Sequence, residues 1–312
     1  KLEYYLRRRL LLLTNNGENN LKIAVFMGGI SSEREISLKS GNAVLNSLKK
    51  QGYNAYGIDL NEDNIVSAFI ENDYDLAYLV LHGEFGEDGR VQALLDMLKK
   101  PYTGSGVTGS AIAMDKVHTK KIAQLAGIRV PKNYNSIDEI DSYPVIIKPA
   151  KEGSSFGIYI CKNRENSLAA IKELENKKIV IEEYILGEEL TAGVFDDEIF
   201  GVLKIKSENE LYDYEAKYSK GRSSHEYPAK ITKEAYDEVC LASLKIHSEL
   251  GLMGISRSDF ILKDGKPYFL EVNTCPGMTE TSLIPELGTI KGYTFDDLVK
   301  KMVDKFKGKN FI

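Results

Sequence analysis

The sequence predicts a chain of mixed α/β and α+β character in two or three domains, a parallel-sheet α/β domain first and antiparallel α+β structure after it. Its 312 residues exceed what one small core uses, at about 100–200 residues per domain. From Leu21 to Gly104, strand-like runs alternate with helical periodicity, and glycine-bearing loops follow the strands, which is the pattern of a small parallel sheet. Beyond Val145 the short strands turn straight back across tight loops, the pattern of antiparallel ladders. The expected boundaries are 1–20 for an N-terminal extension, 21–104 for the first domain, 105–182 for the second and 183–312 for the third.

Composition narrows the function classes. A hydrophobic content of 43% and a charged content of 28% describe a soluble globular chain, and a net charge of −5 offers no pervasive basic surface to nucleic acid. Cys161, Cys240 and Cys275 are odd in number and in no metal spacing, which fits free thiols and a cytoplasmic protein. No apolar run approaches the ~20 residues of a membrane span. Arg7-Arg8-Arg9 before Leu10 to Leu13 superficially resembles a signal peptide, but the apolar core is short and the polar Thr14 to Asn20 carries no small-residue cleavage pattern. Lys1 to Asn20 therefore reads as a short helix and linker, or an appended segment.

In the first domain, Leu21 to Met27 is apolar and β-branched, ends on Gly28-Gly29 and leads into a helical pattern through Leu38, Val44, Leu45 and Leu48. Ser32 and Glu35 have capping-box spacing, which puts Glu33 in the first turn beside the positive end of the macrodipole. That carboxylate either complements the dipole or binds a ligand amine at the carboxyl edge of the sheet, where open α/β sheets place ligands. The glycine pair is not a G-x-G-x-x-G dinucleotide fingerprint. Tyr53 to Asp59 and Tyr74 to Leu81 read as strands. The second of these ends in His82-Gly83-Glu84-Phe85-Gly86-Glu87-Asp88-Gly89, where His82 is either a satisfied structural histidine or, as its strand-end placement favours, faces a ligand. Val91 to Leu98 reads as helix and Pro101 to Gly106 as a turn.

In the second domain, Ser105 to Ala113 and Asp115 to Ala126 read as helices. Lys116 falls in the first turn of the latter, where a cation opposes the macrodipole, so it needs another partner such as a phosphate. Val145 to Pro149 is a strand carrying Lys148, and Gly153-Ser154-Ser155 in the next loop offers small side chains and backbone N–H groups to phosphates without being a Walker A sequence. Ile158 to Cys161 returns antiparallel. Ile179 to Ile185 is another strand; its acidic end and main chain either suit an adenine amine and a ribose or simply close the strand.

In the third domain, Leu190 to Phe195 and Ile199 to Ile205 form a hairpin about Asp196-Asp197-Glu198. Tyr212 to Pro228 is polar, aromatic and without periodicity, a length that marks a lid or binding loop, with His225 a solvated residue in it. Thr232 to Leu250 is a helix. Arg257 to Ser282 then sets charged groups into two apolar runs, Phe260 to Leu262 and Tyr268 to Val272, around an Asp264-Gly265 turn. Period-2 geometry puts Arg257 with Asp259 on one strand face and Glu271 with Asn273 on one face of the next. A two-residue loop would pair Asp259 with Leu270 and part the two carboxylates; a three-residue loop would bring all four polar residues to one side. The alternatives are an ordinary solvated face and an oxygen-donor site for Mg²⁺.

The order of motifs resembles the ATP-grasp superfamily and, within it, the D-alanine–D-alanine ligase family, from about Leu21 to the end. The carriers are Gly28 to Leu38, His82-Gly83 with Gly86 to Gly89, Pro101 to Gly104, Met114-Asp115-Lys116, Lys148-Pro149 with Gly153-Ser154-Ser155, Tyr214 to Tyr218, and Arg257 to Ser282. The resemblance implies a three-domain ATP-grasp fold and an ATP-dependent ligase that forms D-alanyl-D-alanine through a D-alanyl phosphate, for peptidoglycan synthesis. It implies that Asp259, Glu271 and Asn273 hold two Mg²⁺ (or Mn²⁺) and that Lys116 and Lys148 contact phosphate, with Ser154 and Lys217 also at ATP. Glu182, Glu183, Ile185 and Glu189 would hold adenosine. By the same resemblance Arg257 and the N–H of Gly277 stabilise the oxyanion, Glu33 and His82 bind the first D-alanine, and Ser282 takes the carboxylate of the second. Ser154, Tyr218 and Glu33 would hold the Lys217-Tyr218 loop shut, and a homodimer is expected. The alternatives are a D-alanine–D-serine or D-alanine–D-lactate ligase, which the Lys217-Tyr218 pair disfavours for lactate, or a non-catalytic ATP-binding regulator. The shared metal face then requires a loop with an odd number of residues at Asp264-Gly265.

Overall fold

Strand β1 (Lys22–Gly28) is the centre of a three-stranded parallel sheet in the order β2-β1-β3, with β2 at Asn54–Leu60 and β3 at Leu76–Leu79. A computed structural model describes residues 21–153, 157–207, 223–279 and 281–308; the expectations for Lys1 to Asn20, Ser154, Lys217 and Tyr218 lie outside the described residues. Contacts divide the chain into two compact units, Lys1–Ser110 with Leu252–Ile255 and Thr274–Ile312, and Ala111–Gly251 with Ser256–Asn273.

In the first unit, β1 is buried almost throughout, as a parallel strand covered on both faces must be. Phe26 stacks on Phe69 at 4.2 Å between ring centroids, inside a core that also holds Tyr74, Leu60, Leu79 and Tyr102. Helix α1 (Arg34–Lys50) follows the glycine turn, α2 (Ser67–Glu71) and α3 (Arg90–Leu98) follow β2 and β3, and α4 (Val107–Met114) leads out of the unit. Gly28 has φ +85°, and a Cβ there would meet Asp59 Oδ1 at 2.3 Å, so the turn needs glycine for both backbone and space. The Ser32–Glu35 capping box does not form. Glu33 itself is the N-cap of α1, and Ser31 Oγ accepts its N–H at 3.2 Å. Two helices not anticipated from sequence, α8 (Leu283–Ile290) and α9 (Phe295–Phe306), complete this unit; Thr294 and Asp297 form a true capping box on α9.

The second unit holds two sheets. In the four-stranded sheet β4-β7-β5-β6, the strands β5 (Val145–Pro149), β6 (Tyr159–Cys161) and β7 (Ile179–Glu183) are antiparallel to their neighbours, with β4 at Asn133–Tyr134. Val145, Ile147 and Ile181 share one face with Cys161 and with Ala170 and Leu174 of the α6 segment (helix Arg164–Glu173). Helix α5 (Lys116–Leu125) begins at Asp115, whose side chain accepts the N–H of Val117 at 3.1 Å. The five-stranded sheet runs β10-β9-β8-β11-β12, built from β8 (Glu188–Phe195), β9 (Glu198–Ser207), β10 (Ser223–Glu226), β11 (Ile255–Lys263) and β12 (Lys266–Asn273), with α7 at Lys233–Glu249. His225 is therefore not a loop residue: it lies in β10, opposite Ile205, because ladder pairing extends into the end of the polar segment.

The loop between β11 and β12 corrects the sequence expectation. Lys263 pairs with Lys266, so the loop is the two-residue Asp264-Gly265, both at positive φ, +50° and +72°. Parity is restored three pairs further on. Phe260 pairs with Phe269 and Asp259 with Glu271, which leaves Leu270 as the extra residue of a β-bulge. The bulge lets Phe269 and Val272 both point into the core while Leu270 and Glu271 are only half-buried.

Candidate active site

Arg257, Asp259, Glu271 and Asn273 share one face of the hairpin, Arg257 opposite Asn273 and Asp259 opposite Glu271. Asp259 accepts from three side chains. Arg257 donates to it bidentately, Nε at 3.0 Å and Nη2 at 2.9 Å, Thr191 Oγ1 at 2.6 Å and Asn273 Nδ2 at 3.3 Å. Glu271 Oε2 lies 3.0 Å from Lys116 Nζ, which also donates to the carbonyl of Glu152 at 2.7 Å. The partners of Lys116 that its helix position called for are thus a carboxylate and a carbonyl. The donor set Asp259, Glu271 and Asn273 is all oxygen, the chemistry hard divalent cations take, and two fixed cations now balance its charge.

Register brings a second charged group together in the same unit. Glu182 of β7 pairs with Ile146, and Lys148 is two residues along β5, so both side chains leave one face of the sheet. Lys148 Nζ lies 3.1 Å from Glu182 Oε2, while Glu182 Oε1 bonds Lys120 Nζ from α5. All three are buried, Glu182 to 1% exposure. Burial alone would raise the Glu182 carboxyl, but the two ammonium groups hold it down at about 2. Burial works against the charge of Lys148 too, yet Glu182 and Glu271 raise its pKa. Lys120 is the one that gives way: burial, against the pull of Glu182 and with the repulsion of Lys148, brings it down to about 7. The sequence reading missed Lys120. Its signal was there, since Lys116, Thr119, Lys120 and Ala123 form the buried stripe of α5 at helical spacing.

The remaining nucleotide-side expectations fall at the strand ends. Glu183 closes β7 half-buried, its N–H given to Lys132 O at 2.9 Å, Ile185 is buried, and Glu189 lies in β8 opposite Ile205.

In the first unit, Arg34 ties the glycine turn by bonding Asp59 Oδ2 at 2.8 Å and the carbonyls of Gly29 and Leu60. Ser31 Oγ donates to His82 O at 2.7 Å, and a Cβ on Gly83 would lie 2.9 Å from Glu33 Oε2. Glu33 and His82-Gly83 are thus brought together. His82 Nδ1 sits 2.8 Å from Cys275 O; a carbonyl only accepts, so Nδ1 carries the proton. Glu87, in the glycine-rich loop after β3, accepts the N–H of Gly83 at 2.7 Å and of Cys275 at 3.0 Å. Glu87 and His82 therefore grip both polar groups of Cys275, two residues before Gly277. Ser282 is the N-cap of α8, its Oγ accepts the N–H of Thr279 at 3.0 Å, and a Cβ on Gly277 would lie 3.1 Å from that oxygen. A helix N-terminus with a hydroxyl suits a carboxylate. Burial raises the Cys275 thiol well above its usual range, which makes it inert packing.

Among the described residues no helix is long and apolar enough to cross a membrane. The family described as "D-ala D-ala ligase C-terminus" matches residues 107–304, and "D-ala D-ala ligase N-terminus" matches residues 63–105. The chain is 61% identical over 287 residues to the D-alanine–D-alanine ligase of Fusobacterium nucleatum subsp. nucleatum, covering 92% of this chain and 99% of that one. It is similar in structure to the Bacillus anthracis D-alanine–D-alanine ligase complexed with ATP, with a TM-score of 0.81 and 32% identity over 91% of this chain and 97% of that one. It is also similar to the VanG D-Ala:D-Ser ligase of Enterococcus faecalis, with a TM-score of 0.79 and 30% identity over 91% and 98%.

Proposed function

The chain belongs to the D-alanine–D-alanine ligase family, and from that premise we propose how its residues join two D-alanines at the expense of ATP, for cell-wall synthesis. ATP phosphorylates the first D-alanine carboxylate, and the amine of the second attacks the acyl phosphate to give dipeptide, ADP and phosphate. A carboxylate is a poor acyl donor, and phosphorylation supplies the leaving group.

In the second unit, Lys116 and Lys148 take the phosphates, Glu183, Ile185 and Glu189 hold adenosine, and Glu182 keeps a second lone pair on each oxygen for the adenine amine. Asp259, Glu271 and Asn273 fit Mg²⁺, which when bound neutralises phosphate charge. Arg257, already fixed by Asp259, faces the oxyanion of the tetrahedral intermediate. In the first unit, Gly277 offers a backbone N–H to an oxyanion, Glu33 and His82 receive the first D-alanine, and Ser282 at the α8 N-terminus receives the carboxylate of the second. The domain division 21–104, 105–182 and 183–312, a homodimer and a cytoplasmic location belong to the same proposal.

The observation that carries this reading is the one-faced row of Arg257, Asp259, Glu271 and Asn273 with Lys116 on Glu271. An amine as second substrate is supported by Lys217-Tyr218 in the sequence. The test measures ADP release and product mass with D-alanine alone, then with D-serine or D-lactate added. D-alanyl-D-alanine as the product of D-alanine alone is expected; no D-alanine-dependent ADP overturns the reading.

A further inference from the structure

Lysine in the buried stripe of a helix is costly, and Lys120, 6% exposed, stands there with its Nζ on Glu182 Oε1 and beside Lys148. Glu182 needs one cation for charge balance and has two. Among the described residues, the ion pairs of Lys116, Lys120 and Lys148 are with Glu182 and Glu271, three ammonium groups to two carboxylates. Such an excess is what an arriving anion neutralises.

We propose that Lys120 is a positioning residue of the nucleotide site, the standing counter-ion of Glu182, which leaves Lys148 at liberty to turn to a nucleotide phosphate. This rests on the assignment of Lys148 to phosphate above. The geometry separates the two lysines. Lys120 reaches Glu182 from helix α5, and Lys148 lies on β5 immediately before the Pro149 to Gly153 stretch, at the strand end where the phosphate loop starts. If Lys148 leaves Glu182 for a phosphate, a buried carboxylate loses one partner; with Lys120 in place it keeps a full counter-charge and a hydrogen bond. Without Lys120, Lys148 would be tied to Glu182 as its only cation, and every nucleotide bound would cost an uncompensated buried charge.

The test is a double-mutant cycle read by calorimetric titration of ADP with magnesium, no D-alanine present, on Lys120→Met, Lys120→Arg, Glu182→Gln and the Lys120→Met/Glu182→Gln pair. Lys120→Met should weaken ADP binding about 30-fold, and Lys120→Arg should recover most of it. In the Glu182→Gln background, where no carboxylate remains to answer, Lys120→Met should cost under about threefold. Steady-state kinetics should show the KM for ATP raised and that for D-alanine unchanged, a split that a general loss of packing would not give. An equal cost of Lys120→Met in both backgrounds, or ADP binding by Lys120→Met within twofold of the parent, overturns the proposal. Should Lys120→Met fail to fold, Lys120→Arg and the two Glu182→Gln proteins, in which no buried carboxylate is stranded, decide: loss of ADP binding on removing Lys120 in the Glu182→Gln background overturns it. Because ADP binding needs no D-alanine, a parent protein that binds ADP but makes no dipeptide would sink the ligase reading and leave this comparison standing.

Discussion

In the first unit the segments carrying His82 and Gly277 are held by hydrogen bonds to main chain, Ser31 to His82 O, His82 to Cys275 O, Glu87 to two N–H groups; in the second, Lys148 and Glu182, assigned to phosphate and adenosine, are held by buried ion pairs. A main-chain hydrogen bond nets about 0.5–1.5 kcal/mol, so the first arrangement fixes position with little charge at stake. Buried pairs roughly balance desolvation against attraction, yet stranding one partner costs about 3–5 kcal/mol. The first unit is thus suited to placing a small zwitterion, and the second to answering a highly charged ligand.

That contrast breaks most visibly at Lys148. Lys148→Met should lower ADP affinity by about 100-fold or more while D-alanine binding is retained, because Lys120 keeps Glu182 paired but cannot reach as Lys148 does. Acid should act next, and through the second unit. Glu182 is depressed to about 2 in the folded chain, so its stabilisation is complete above about pH 4.5 and is lost as pH falls through 2. Urea unfolding over that window should show a loss of about 3 kcal/mol that Glu182→Gln lacks, and an unchanged pH slope in the variant would refute the ion-pair account.

Glu87→Gln sharpens the other side of the comparison. An amide can accept one N–H but presents a donor to the other, so stability should fall about 1–3 kcal/mol and kcat about tenfold, with ADP affinity untouched. Deleting Leu270 should matter less. It removes the bulge and leaves a regular two-residue hairpin in which Asp259 still meets Glu271, so ADP release should persist within about tenfold. At the small end, Lys50→Ala removes an exposed pair with Asp296 and should leave the melting curve unmoved.

Much of this was legible in one sequence because it is local. The alternation of strand and helix to Gly104, the hairpins at Asp196-Asp197 and Asp264-Gly265, and the helix capped by Thr232 all rest on periodicity and turn residues. Helices at Leu283–Ile290 and Phe295–Phe306 went unread although the second has a capping box at Thr294, a local signal left unused. The capping box at Ser32 failed for a different reason: Ser31, not Ser32, is drawn to His82 O and to the Glu33 N–H. His225 was misplaced because pairing with β9, not its own neighbours, makes it a strand residue.

Sequence by itself determined which residue types the site owns and in what order: an acid after a glycine turn, lysines at a helix start and a strand end, and four polar groups set into a hairpin. Only the tertiary structure decided how they combine. A two-residue loop would have parted Asp259 from Glu271 had the bulge at Leu270 not restored the parity, and the seat of that bulge is set by Phe269 and Val272 both seeking the core. Likewise Lys120 meets Glu182 only because α5 lays its buried stripe where β7 and β5, in register, present a carboxylate and an ammonium. Periodicity is a property of neighbours along the chain, whereas the pairing of buried charges depends on register between segments 28 to 62 residues apart, where packing chooses and local propensity has no say.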